Sequence, residues 1–163
     1  MKNLTRFCLL LSLFILSACA NIAEGPAYSD SKASQKKAGY ATLYVFRKDA
    51  EPAGWGATLY IDGKELSVLN QQGFTWVYAK PGARQLSVAW PGLSGQQDAN
   101  IALNLSANKT YYIELSGLSH VQSLSSGKDK SRKRSKLNSI HPRFAGRLLN
   151  KCCLFQKPKS DTY

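Results

Sequence analysis

The sequence is poor in the residues that most often carry enzyme chemistry. Among 163 residues there are two His, and 22 Lys and Arg face only ten Asp and Glu, giving a net charge of +12 at pH 7. It contains no Gly-rich phosphate loop and no paired acid and base. Gly92-Leu93-Ser94-Gly95 is one residue short of a nucleophile elbow, which favours a turn. These shortages predict a non-catalytic protein with no catalytic residues and no cofactor.

The few Cys and His also lack the spacing of a zinc site. Cys152 and Cys153 are adjacent, and His120 and His141 are far apart, whereas zinc motifs separate paired Cys by roughly two to four residues. We therefore predict no metal. Neighbouring Cys close a disulfide only through a strained small ring, so we expect one to pack against a sheet and the other to be free or paired between molecules.

Long apolar runs are missing as well. The longest, 7–16, follows Lys2 and Arg6 and has about half of the roughly twenty residues that a membrane-spanning helix needs. A positive start, a short apolar run and small residues after it are typical of a secretory signal peptide. We predict that residues 1–18 are such a signal.

The end of this signal, Leu16-Ser17-Ala18-Cys19, resembles the bacterial lipobox. The resemblance implies cleavage between Ala18 and Cys19 and acylation of Cys19 with chains such as palmitate. Two or three chains would anchor firmly, since each buried methylene is worth about 0.8 kcal/mol. Ala20 after the cysteine is similar to the pattern of lipoproteins sent to the outer membrane. We expect a lipid-anchored cell-envelope protein, facing the periplasm.

The positive charge is concentrated at one end of the chain. Without its signal the chain has 145 residues and a net charge of +10; residues 19–127 hold +1 of this and 128–163 hold +9. Polar composition without periodicity predicts a mobile basic loop over 119–141. Its candidate anion-binding residues are Lys128, Lys130, Arg132, Lys133, Arg134 and Lys136. A solvated loop without a binding role is the competing interpretation.

The mature chain reads as one mainly β domain. After a flexible tether at 19–38, apolar residues alternate with polar ones, which predicts a sandwich of about seven antiparallel strands over 39–118. The seven strands are expected at 40–47, 57–61, 64–69, 74–79, 85–90, 100–105 and 110–115, with a hairpin at Asp62-Gly63. Residues 142–158 should add a short helix and an edge strand, before a tail at 159–163.

Three tryptophans could stack on a ligand. Trp76 and Trp90 fall on the apolar sides of their strands, which predicts core packing. Trp55, between two glycines in a loop, is the possible ligand contact, although a structural role is the favoured interpretation.

The order of several short motifs resembles a family of small bacterial lipoproteins that share a β-rich domain of unknown function. The motifs are Y-x-F-R (44–47), Y-I-D-G-K (60–64), K-P-G (80–82) and N-K-T-Y-Y (108–112), behind the lipobox. The resemblance covers about 40–118 and the last ten or so residues. It implies a compact envelope domain with no known reaction, and it does not extend to the basic stretch.

Two functional hypotheses remain. The first is a lipid-anchored interaction or structural module that holds another envelope protein. The second is a polyanion-binding module whose basic run contacts lipopolysaccharide, phospholipid or peptidoglycan. Export excludes nucleic acid as a partner in both, and the sequence predicts no oligomeric state.

Overall fold

A computed structural model of the chain describes residues 21–33, 36–122 and 130–163. The predicted signal peptide, the lipidation site Cys19 and the basic residue Lys128 lie outside these ranges. The described part is mainly β, with two packed sheets and a short C-terminal helix, so the predicted sandwich class is confirmed. No helix in these ranges is long and apolar enough to cross a membrane.

The described residues form ten strands, two helices and a 3₁₀ turn at Gly92–Ser94. The strands are β1 Ala41–Arg47, β2 Ala57–Ile61, β3 Lys64–Leu69, β4 Gly73–Ala79, β5 Gly82–Ala89, β6 Gln96–Gln97, β7 Ala99–Leu105, β8 Thr110–Gln122, β9 Lys130–Ser139 and β10 Leu154–Phe155. The helices are α1 Tyr28–Ser31 and α2 Pro142–Cys152. Sheet 1 has the order β10-β4-β1-β8-β9-β6 and sheet 2 the order β3-β2-β5-β7. All seven expected strands are present.

Alternation of apolar side chains builds the core between the sheets. Leu43 and Val45 of β1 face Leu59 and Ile61 of β2, and all four are buried. Burial of each such side chain is worth roughly 1.5–3 kcal/mol. The hairpin at Asp62-Gly63 forms as expected, with φ of 49° and 77°, because the left-handed region suits both residue types.

An aromatic layer covers the other face of sheet 1. Tyr44, Phe74 and Trp76 lie there beneath Tyr28 of α1 and Phe155 of β10. Trp90 is buried between the sheets, so core packing is confirmed for both Trp76 and Trp90.

Three pairings differ from the antiparallel expectation: the short strands β10 and β6 pair parallel with β4 and β9, and among the seven expected strands β1 and β8 are parallel. β1 pairs antiparallel with β4 but parallel with β8, in the register Thr42↔Thr110 to Phe46↔Glu114. The long connection between β1 and β8 runs through all of sheet 2, which leaves room for a parallel return.

The prediction of a mobile basic loop is wrong for the described part of 119–141. β8 continues to Gln122, and Lys130–Ser139 returns antiparallel beside it as β9. Backbone pairing overrides the polar composition, and the buried Leu137 ties the strand to the core. Within β9 the apolar signal is therefore one side chain, Leu137, which is too weak to predict a strand.

The predicted C-terminal helix and edge strand are present as α2 and β10, which pairs with β4. Cys153 is buried against sheet 1, as expected for one cysteine. The free or intermolecular thiol is wrong, because Cys152 and Cys153 form a disulfide with each other. The helix ends at Cys152 and Cys153 is extended, and this change of backbone direction brings the two sulfur atoms together.

The sandwich has two distinct ends. Arg47 of β1 pairs with Gly73 of β4, so residues 21–23, 48–56, 70–72 and 90–98 lie together at what we call the proximal end. The Asp62-Gly63 hairpin and residues 80–82, 106–109 and 160–163 form the distal end.

Candidate functional site

The described chain begins at the proximal end and is fixed there from its first residue. The backbone N–H of Gln71 donates to the carbonyl of Asn21 at 2.9 Å, and the N–H of Ala23 donates to Gln71 at 2.8 Å. Ala23 is buried. The flexible tether predicted over 19–38 is therefore wrong for residues 21–33, which pack on the domain.

Two further contacts hold this N-terminal segment. Gly25 lies so close to the carbonyl oxygen of Phe155 that a Cβ would overlap it. Tyr28 inserts between the rings of Tyr44 and Phe74, and Trp76 donates its indole N–H to Ser31 at 2.7 Å. Such contacts join residues distant in sequence, so local polar composition did not reveal them.

A buried arginine organises the loop 48–56 beside the N-terminal segment. Arg47 is fully buried and donates to four backbone carbonyls, those of Ala50, Pro52, Trp55 and Leu69, at 2.6–3.2 Å. Its guanidinium also lies over the ring of Trp90, 4.8 Å from the centroid. Burial lowers its pKa to about 10, and Glu51 opposes that shift. Carbonyl oxygens thus replace water around the charge.

Arg47 is a central residue that was not predicted, although the sequence contains one signal for it. In β1 it continues the alternation of Leu43 and Val45, which places its side chain on the core side. A charged residue at an inward position requires several acceptors nearby, and a Pro- and Gly-containing loop follows directly.

Trp55, the possible ligand contact, lies at the proximal end with more than a third of its surface exposed. Its backbone carbonyl accepts the 2.6 Å hydrogen bond from Arg47, and its backbone N–H donates to the carbonyl of Pro52. The next residue, Gly56, lies against Val68 and Asn21, since a Cβ there would be 2.6 Å and 3.5 Å from their side chains. Trp55 is therefore presented on a fixed loop next to the start of the described chain.

Strands β8 and β9 form a basic arm at the same end. Because β8 runs parallel to β1, residues 116–122 continue past Arg47, roughly 20 Å at the rise of a strand. Gly117 packs against the backbone of Glu51, at the base of the arm. Arg134 and Lys136 are exposed, while Lys130, Arg132 and Lys133 belong to β9 by their backbone. The structure brings these predicted residues into one strand; Lys128 lies outside the described residues.

The titratable groups near the base of the arm include Glu114. Burial raises its pKa, Lys48 opposes that rise, and Asp49 adds to it. His141 is used as a helix cap, its Nδ1 accepting from the N–H of Arg143 at 3.3 Å. Within the described ranges, no group of three His, Cys, Asp or Glu side chains could hold a metal.

Apart from the proximal end, a cavity lies toward the distal end, on the outer face of sheet 1. Its volume is about 310 Å³, and Lys32 and Lys36 stand beside three tyrosines, Tyr28, Tyr44 and Tyr112. Burial raises the pKa of Tyr44 to about 12, so its hydroxyl stays protonated at neutral pH. Two cations and neutral hydroxyls can accommodate a small anionic or polar group.

Comparison of the chain with known protein families and with curated proteins gives no match.

Proposed function

We propose that this protein is a lipid-anchored, non-catalytic module of the bacterial cell envelope, acylated at Cys19. One observation carries the proposal: Asn21, two residues after the predicted acylation site, is already hydrogen-bonded to the domain. An anchor at Cys19 would therefore leave almost no free chain between the acylated residue and the domain. The sandwich would be held at a nearly constant distance from the membrane, which suits an interaction module.

The anchor is tested by cell fractionation and mass spectrometry of the N-terminus. Cys19→Ser should move the protein out of the membrane fraction and remove the acyl mass. Cys8→Ser, within the apolar run but outside the lipobox, is the matched control and should change neither. The anchor is refuted if Cys19→Ser stays membrane-bound and the normal product carries no acyl chain.

The module's partner contact is assigned to the free edge of sheet 2. β7 ends that sheet and pairs only with β5 among the described strands, so alternate residues of β7 direct their backbone N–H and C=O groups away from β5 toward the open side. The opposite edge is covered, since Lys159 donates its N–H to Leu66 of β3 at 2.8 Å. An extended segment of another envelope protein can add to an open edge.

In-cell photocrosslinking tests this contact. A photoreactive residue at Ala102, exposed on β7, should capture a discrete partner, whereas one at Lys64, exposed on the covered β3, should not. Equal crosslinking at both positions, or none at Ala102, would refute strand addition.

A second candidate function is polyanion binding by the basic arm. The exposed Arg134 and Lys136 favour it, since each Lys or Arg near an anionic surface is worth about 1 kcal/mol. Deleting 128–136 would remove most of β9, so Arg134→Gln with Lys136→Gln is the better variant. It should weaken salt-sensitive binding to vesicles containing lipopolysaccharide by roughly tenfold or more. Arg143→Gln with Lys151→Gln, two exposed cations on α2, is the control; equal losses would contradict a role for the arm.

A further inference from the structure

Exposed apolar side chains are unevenly distributed over the molecule. Among the described residues, large hydrophobic side chains with more than a third of their surface exposed are Ile22, Trp55, Val68, Leu93 and Phe144. The first four lie at or beside the proximal end, and Leu93 is nine-tenths exposed. Phe144 lies near the start of α2. Single exposed apolar residues are ordinary, but four around one end form a rim.

The rim spans the end of sheet 2 and is held in place. Val68 precedes the last residue of the edge strand β3, and Leu93 lies in the connection from β5 to β7 at the other edge. Neighbouring strands are about 4.8 Å apart, so these two residues are separated by roughly 15 Å. Trp55 lies between glycines on the loop that Arg47 fixes, and Ile22 bridges to Gln71. Placing these side chains in a lipid interface would require little additional ordering.

The short stretch of chain between Cys19 and Asn21 indicates that a membrane covers this rim. Two residues extend at most about 7 Å, so an acylated Cys19 would bring Asn21 within that distance of the lipid interface. Asn21 belongs to the proximal end, next to Ile22, Gly56 and Val68. A membrane that holds Cys19 must therefore lie against this end of the sandwich.

We propose that the proximal end is a membrane-docking surface in which Ile22, Trp55, Val68 and Leu93 contact the interface of a phospholipid bilayer. Tryptophan suits that position because its ring is apolar and its N–H is polar. The basic arm extends from the same end, and its exposed Arg134 and Lys136 are complementary to anionic headgroups. The inference rests on the proposed anchor at Cys19, which gives the surface its occupant.

Depth-dependent fluorescence quenching of the acylated mature protein, beginning at Cys19, tests the inference. The protein is reconstituted in vesicles of phosphatidylethanolamine and phosphatidylglycerol that also contain a dibrominated phosphatidylcholine. Trp90 is buried and Trp76 is partly buried in the aromatic layer on sheet 1, outside the rim, so Trp55 should dominate the quenching. Trp55→Phe should reduce it several-fold, and Trp76→Phe should leave most of it.

Two variants that carry the exposed tryptophan at other positions form a matched pair. In the Trp55→Phe background, Leu93→Trp should restore quenching, whereas Phe144→Trp, outside the rim, should not. Equal quenching of both would overturn the docking surface, as would absence of Trp55 quenching in protein that floats with the vesicles. These two results would leave the anchor intact. Protein that lacks the acyl mass and does not float would instead refute the anchor, and the docking surface with it.

Discussion

The two ends of the sandwich are completed by different kinds of interaction. At the distal end, Asp62 accepts from the N–H of Gln85 at 2.9 Å and pairs with Arg84 at 3.0 Å, beside a two-residue turn. At the proximal end, a buried Arg47 and a packed N-terminal segment hold the loops, and the exposed apolar side chains of the rim lie among exposed charged ones such as Lys48, Asp49 and Glu51. Contacts between segments distant in sequence occur at both ends, because Tyr163 also forms backbone hydrogen bonds with Tyr78 and Lys80 at the distal end. What distinguishes the proximal end is the buried charge of Arg47.

Because of this difference, the surface of the distal end suits water and that of the proximal end suits a lipid interface. Polar turns and exposed ion pairs such as Lys159–Glu65, at 2.7 Å, are stable in water. An apolar rim beside a basic arm is better suited to an anionic lipid interface. Breaking contacts at each end should therefore affect different properties of the protein.

The largest effect is expected at Arg47. Arg47→Leu removes the charge and the guanidinium donor to the carbonyls of Ala50, Trp55 and Leu69, while the carbonyl of Pro52 keeps the backbone N–H of Trp55. Because each unsatisfied buried group costs about 1–3 kcal/mol, we expect a loss of at least about 3 kcal/mol in the free energy of unfolding. Urea unfolding followed by Trp fluorescence measures it.

Arg84 at the distal end is the matched arginine. Arg84→Gln breaks one partly exposed ion pair with Asp62 and should cost at most about 1 kcal/mol. Arg47→Lys, which folds more readily but cannot reach all four carbonyls, should fall between them. Similar costs for Arg47→Leu and Arg84→Gln would remove the contrast between the ends.

A smaller effect is expected at Gly25, where the N-terminal segment crosses β10. Gly25→Ala places a Cβ against the carbonyl oxygen of Phe155, so the segment must move away. We expect a loss of about 1–3 kcal/mol, together with faster hydrogen exchange at the amides of Ala23 and Gln71, which donate in the contacts between this segment and the domain. Release of the segment would lengthen the free chain between an anchor at Cys19 and the domain.

Gly54 provides the control for this substitution. It lies in the loop 48–56, and a Cβ there would meet no atom within 4 Å. Gly54→Ala should therefore change stability and exchange very little. If Gly25→Ala left the amide exchange of Ala23 and Gln71 unchanged, the segment would not be held by this close contact.

The features that the sequence predicts are those that depend on local patterns rather than on long-range contacts. The seven strands, the Asp62-Gly63 turn and the start of α2 depend on alternation and on local backbone preferences, which are present in short stretches. Docking of the N-terminal segment depends on Gly25 meeting Phe155, far along the chain. β9 depends on pairing with β8 despite a composition typical of a loop.

The candidate site was predicted in part for the same reason. Trp55 stood out as an aromatic residue between glycines, and the basic residues stood out by charge. Neither pattern shows that they share one end of the sandwich, because that depends on the parallel pairing of β1 with β8. Arg47 was missed because its acceptors are backbone carbonyls, which are the same in every sequence.

The smallest effect concerns Glu114, where β8 leaves the sandwich to enter the arm. Burial raises its folded-state pKa, so the stability contributed by protonation is present below the unfolded pKa and is lost as pH rises through the folded pKa. Glu114→Gln should therefore be more stable than the natural protein at about pH 7, and this gain should vanish near pH 3. Glu65→Gln, at the distal end, should instead be slightly less stable at about pH 7, because it loses the ion pair with Lys159. Urea unfolding at both pH values measures the difference; a pH-independent effect of Glu114→Gln would show that packing, rather than the buried charge, distinguishes this position.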